Sequence, residues 1–111
     1  MLPQEHRLSR ETFKEVLMRG RSVPGAHFSF KYKKLGAGEK PRFSVVISKK
    51  VVKTATGRHL IKRRAYSFLS SALKTTLPVS GIFFARGGVD LLSFKELILE
   101  LEGFLSSSNR R

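Results

Sequence analysis

Residues 48–68 read SKKVVKTATGRHLIKRRAYSF, and the placement of this stretch decides the fold. It is the most basic part of the chain and contains no acid. No Asp or Glu occurs anywhere from Lys40 to Val89. The spacing predicts a helix from about Ala55 to about Lys74, ending before Pro78. Ile61, Ala65, Phe68, Leu69 and Ala72 recur at the three-and-four spacing of a buried stripe. His59, Lys62, Arg63 and Tyr66 fall on a flank expected to stay in water. Thr54 or Thr56 can cap the helix. Gly57 in its first turn costs about 1 kcal/mol against Ala but leaves backbone N–H groups open to a phosphate. A helix anchored by one face, with guanidinium, ammonium, imidazole and phenol groups on another, suits a polyanion.

Upstream, Arg42–Ser48 (RFSVVIS) reads as a strand with Phe43, Val45 and Ile47 on one face. Ser44 and Ser48 flank Val46 on the other, a small-residue surface that lets a nucleic acid backbone approach. Before it, His27–Lys34 alternates Phe28, Phe30 and Tyr32 with Ser29, Lys31 and Lys33, a half-buried strand. The turn-rich segment 36–41 joins the two, most simply as an antiparallel hairpin. Val23-Pro24-Gly25 is a turn or an edge. Ser9 caps a first helix over Arg10–Arg19, stopped by Gly20. Phe13, Val16 and Leu17 form its apolar side, and a partly exposed Phe13 offers a stacking surface.

Downstream, Gly81–Arg86 (GIFFAR) reads as a short strand buried on both faces. Ser93-Phe94-Lys95-Glu96 is a capping box. It opens a helix that turns Leu97, Ile98, Leu101 and either Phe104 or Leu105 inward. The order helix, two or three strands, helix, strand, helix predicts an α+β sandwich of αβββαβα type, with helices packed on one small mixed sheet. Residues 1–105 form a single RNA-binding domain, and 106–111 (SSSNRR) a disordered basic tail.

The 111 residues carry a net charge of +14, which repels itself unless something anionic offsets it. Nucleic acid is the leading partner, because the charge runs through the whole chain. A membrane partner is not expected: no segment combines a basic face with a long spare apolar one. The absence of cysteine excludes disulfides and thiolate metal sites. The N-terminal residues lack the apolar centre of a signal peptide, so a cytoplasmic location is expected. The eight acids form no cluster in the basic half, and His6, His27 and His59 lack metal spacing. His6 and His27 read as plain surface residues, whereas His59 lies in the basic stretch. No phosphate loop, dinucleotide fingerprint or nucleophile elbow occurs. The pattern is that of a nucleic-acid binder with no active site, bound cofactor or small-molecule substrate of its own.

Four pieces together resemble the protein subunit of bacterial ribonuclease P. They are His6-Arg7-Leu8 ahead of the helix holding Phe13, and Arg42–Lys50 as a strand running into paired lysines. Next comes Arg58-His59-Leu60-Ile61-Lys62-Arg63, similar to the family signature Arg-Asn-Arg-Ile-Lys-Arg. The last is Phe83-Phe84-Ala85-Arg86 before a final amphipathic helix. The resemblance implies an α+β fold with a left-handed β-α-β crossover, against the usual hand. It implies a catalytic RNA partner that performs the hydrolysis with Mg²⁺, and a precursor tRNA held by its 5′ leader so that the leader is removed. By the same resemblance, Lys49, Lys50, Lys53, Arg58, His59, Lys62, Arg63 and Arg64 meet the catalytic RNA. A cleft between the first helix and the sheet takes the leader, with Arg7, Phe13, Leu17, Phe28, Phe30 and Tyr32 as its residues. Strand parity leaves open whether those three aromatics or Lys31 and Lys33 face that cleft.

Four departures stand out. His59 replaces the signature Asn, Leu60 its second Arg, and Tyr66 a position where a further Arg is common. Leu17 stands where a second cleft aromatic is frequent. The alternative that composition permits is a small structural ribosomal protein that binds rRNA without any part in cleavage. A DNA-binding module fits less well, since no helix-turn-helix spacing appears.

Overall fold

The computed structural model describes residues 6–36, 38–73 and 78–109. Helix α1 (Arg10–Arg19) leads into β1 (Arg21–Pro24), β2 (Phe28–Lys34) and β3 (Arg42–Val46). Helix α2 (Ala55–Ala72), β4 (Val79–Ala85), a 3₁₀ turn (Val89–Leu91) and α3 (Phe94–Asn109) follow. The expected end of α2 at Lys74 lies outside the described residues. Helix α3 continues through Asn109, so residues 106–109 extend a helix where a loose tail was expected. Arg110 and Arg111 lie outside the described residues.

The sheet order is β1-β2-β4-β3. The expected hairpin between β2 and β3 does not form. Strand β4 lies between them, antiparallel to β2 and parallel to β3. Its sequence gives the reason: Val79, Ile82 and Phe83 are buried on both sides, and such a strand gains most at the centre of a sheet. The connection 35–41 then spans two strand spacings, roughly 10 Å. Val23-Pro24 belongs to edge strand β1, paired antiparallel with β2, as a strand proline requires.

Two helices cover one face of the sheet and one helix covers the other. Phe28, Phe30, Tyr32, Phe43, Val45 and Phe83 pack beneath α2 and α3 with Ile61, Ala65, Leu69, Leu101 and Phe104. Phe30 stacks on Phe83 with centroids 4.4 Å apart, and Phe104 meets Phe83 edge-on at 6.0 Å. Gly81 permits this packing: a Cβ there would sit 2.4 Å from the Phe30 ring. Both Phe104 and Leu105 turn inward. The capping box forms as expected: Ser93 N–H donates to Glu96 Oε1 at 3.0 Å and Glu96 N–H to Ser93 Oγ at 3.2 Å. Glu100 ties α3 to the sheet by accepting from the N–H groups of His27 and Phe28, at 2.9 and 2.8 Å, and from His27 Nδ1 at 3.0 Å.

Helix α1 lies on the opposite face. Ser9 Oγ caps it by accepting from Thr12 N–H at 3.2 Å, and Val16 is its buried centre. Below it the register places Lys33, Ser80 and Arg42 in one row across the sheet, Lys31, Ile82 and Ser44 in the next, and Ser29, Phe84 and Val46 in the third. Lys31 Nζ donates to the Leu17 carbonyl and Lys33 pairs with Glu15, so two sheet lysines fasten the helix.

Candidate nucleic-acid interface

The basic stretch divides into a turn and a helix flank. Ser48 O accepts from the N–H groups of both Val51 and Val52 at 3.1 Å, which folds residues 48–52 into a tight turn. The turn lifts Lys49 and Lys50 into solvent, and Lys53 follows them. Thr54 then caps α2 by accepting from Gly57 N–H at 3.1 Å. That N–H is therefore taken by the cap and not open to a phosphate. Gly57 serves close packing: a Cβ there would sit 2.8 Å from Thr54 Oγ1 and 2.9 Å from Val52 Cγ1.

Along α2 the expected RNA-facing residues separate by role. His59 and Arg63 are exposed, and Lys62 is half-buried beside them. Arg58 turns back on the chain, its Nη1 donating to the carbonyls of Val52 at 2.9 Å and Lys53 at 3.1 Å. It holds the lysine turn in shape while keeping its charge beside it. Arg64 lies on the side toward α3, its guanidinium 5.7 Å from the centre of the exposed Phe94 ring. Tyr66, expected in water, instead accepts from Val45 N–H at 2.9 Å and packs against the core. Its phenol ties α2 to β3, which accounts for a tyrosine where an arginine is common. Neither His6 nor His27 is a plain surface residue. His6 Nδ1 donates to the Pro41 carbonyl at 2.7 Å, and His27 is held by Glu100.

The second region is the face bearing α1. Phe28, Phe30 and Tyr32 are at most 1% exposed and belong to the core on the far side. They cannot line a cleft against α1. Strand parity assigns that face to Ser29, Lys31 and Lys33, with Ser44, Val46, Ile82 and Phe84 from the neighbouring strands. The helical repeat sets Phe13 and Leu17 on one flank of α1, and Thr12, Glu15 and Arg19 on the other, with Val16 between. Phe13, Leu17, Val46 and Phe84 are all half-buried. Arg7 is exposed and bridges to Phe43 beside β3. The sequence reading missed Phe84, because a strand apolar on both faces looks wholly structural. Its alternation with the buried Phe83 was the available signal.

Among the described residues no group of three His, Asp or Glu side chains could hold a metal, and no helix is long and apolar enough to cross a membrane. The chain thus presents two basic regions joined by a rigid sheet.

Comparison with known proteins identifies the family. The family model described as Ribonuclease P matches residues 2–108. A ribonuclease P protein component from Microcystis aeruginosa (strain NIES-843 / IAM M-2473) is 30% identical over 113 residues, covering 97% of this chain and 94% of its own. The RNase P protein of Staphylococcus aureus superposes with a TM-score of 0.83 at 21% identity, over 93% of this chain and 94% of that one. The RNase P protein of Thermotoga maritima gives 0.79 at 19% identity, over 91% and 96%. The two structural matches establish the shared α+β fold.

Proposed function

This chain belongs to the ribonuclease P protein family and is a protein component of that tRNA-processing enzyme; from that premise we propose that it is an accessory subunit, with the cutting done by an RNA partner. Ribonuclease P RNA engages the exposed cations of the lysine turn and α2. Precursor tRNA is held by its 5′ leader in the cleft between α1 and the sheet. Mg²⁺ belongs to the RNA active site, and the assembly works in the cytoplasm. The one observation that carries this reading is the unopposed cation set Lys49, Lys50, Lys53, Lys62 and Arg63. All lie on one continuous turn-and-helix segment with no acid in it.

Each part has a physical role. Cations on the turn and helix replace counterions along the RNA backbone, so binding falls steeply with salt. His59 stands among them and donates to phosphate or stacks. The cleft has an apolar floor of Val46 and Phe84 and a wall of Phe13 and Leu17. Such a surface holds single-stranded RNA by stacking without reading its sequence.

The test is binding of a bacterial ribonuclease P RNA transcript by the protein and by Lys62→Ala/Arg63→Ala. The double variant should bind more weakly, and its log–log salt slope should fall by about 2. The parent should also improve leader removal from precursor tRNA at low Mg²⁺. Unchanged affinity and slope would count against the assignment, as would cleavage of precursor tRNA by the protein with no RNA present.

A further inference from the structure

We infer that the back flank of α1, away from Phe13 and Leu17, seats a second stretch of RNA backbone through a phosphodiester group. This rests on the reading of the chain as an RNA binder and goes beyond the leader cleft. A groove of about 490 Å³ opens there, with Thr12 and Glu15 of α1 on one side and Lys33, Lys34, Arg42 and Ser80 of the sheet on the other.

Three features make this groove a seat for an anionic group. First, the register puts Ser80 between Lys33 and Arg42 in one row across three strands, so a serine is flanked by two cationic residues on the face that lines the groove. Second, Ser80 is only 1% exposed and its Oγ has no hydrogen-bond partner. A buried hydroxyl without a partner calls for an explanation, and an oxygen of a bound phosphodiester supplies the missing acceptor. Third, a second hollow shares Lys33 and Lys34 with the first and adds Arg19, Arg21 and the edge of Tyr32. A run of cations longer than one phosphate group suits a chain of phosphates better than a single small anion. Glu15 neutralises Lys33, and the remaining charges of the lining are Lys34, Lys40 and Arg42 against Glu39, a net excess of cations. Helix α1 thereby stands as a ridge between two RNA tracks, apolar on the Phe13 side and ionic on the Ser80 side.

The test uses the full chain and a bacterial ribonuclease P RNA transcript bound to precursor tRNA, titrated across a KCl series. Arg42→Ala should weaken binding and lower the salt slope by about 1. Ser80→Ala removes no charge, so it should weaken binding by about fivefold at an unchanged slope. Its melting temperature should hold or rise, because a partnerless buried hydroxyl is removed. Parental binding by both variants, with Lys62→Ala/Arg63→Ala still weakened, would overturn the second track and leave the proposed function standing. Parental binding by all of them would overturn both. Ser80-dependent binding of inorganic phosphate, with RNA affinity untouched, would also overturn the RNA track.

Discussion

Phe28, Phe30 and Tyr32 are sealed under two helices, while Ser29, Lys31 and Lys33, which alternate with them on β2, remain half-exposed beside a single helix. The backbone is the same strand, and the difference lies in what is layered above each face. Helices α2 and α3 close one side with a cluster of rings. A ten-residue α1 cannot cover the other, and its own footing there includes a hydrogen bond from Lys31 and an ion pair with Lys33. One face therefore carries most of the buried core, and the other stays partly open to solvent.

That division can be broken most forcefully at adjacent residues of β4. Phe83→Ala should cost about 3–5 kcal/mol in a urea or thermal melt, since Phe83 touches Phe28, Phe30, Phe43 and Phe104. Phe84→Ala, on the open face, should cost a fraction of that while weakening precursor tRNA binding. Equal stability losses would mean the two faces are not distinct. The open face is sharpened by Phe13→Ala, expected to remove about 1–3 kcal/mol of precursor tRNA binding, the value of one stacked base. Mature tRNA should be affected less, and equal losses for both would remove the leader cleft.

A smaller effect separates structure from binding within α2. Tyr66→Phe should lower stability by about 1 kcal/mol through the lost bond to Val45 N–H, with the salt slope of RNA binding unchanged. A lower slope would mean that this link also sets the cation geometry. The smallest effect concerns the capping box of α3. Hydrogen bonds from Ser93, the backbone N–H foremost and then the side chain, hold the Glu96 carboxyl below its ordinary value of 4.5. A depressed carboxyl contributes stability above the ordinary value and loses it as pH falls through the lower folded value. The gap in melting temperature between the parent and Glu96→Gln should therefore narrow on acidification. A constant gap would show that Glu96 plays no part.

Much of this fold is legible in the sequence. The Ser9 cap, the Ser93–Glu96 box and the buried stripe Ile61–Ala65–Leu69 are local signals, and each formed where its spacing required. What failed was non-local. Strands β2 and β3 each read as good hairpin partners, and only the better burial of β4 separates them. The parity of β2 is undecidable because the aromatics Phe28, Phe30 and Tyr32 alternate with the polar Ser29, Lys31 and Lys33, and either set can face a helix. Helical angle sets Tyr66 on the flank facing water, and the family resemblance implies that Arg58 meets RNA. Their real partners, the Val52 and Lys53 carbonyls and the Val45 N–H, lie on backbone whose path the helix spacing does not encode.

The border of β3 has one more consequence. Its outward Val45 N–H is occupied by the Tyr66 phenol, and Arg7 bridges beside Phe43. A neighbouring polypeptide cannot zip onto that margin as an added strand without first displacing both. A net charge of +14 draws many copies of the molecule to the same polyanion, and crowding of that kind is where stray strand pairing starts. A sheet margin already stoppered by its own residues lets such crowds disperse again.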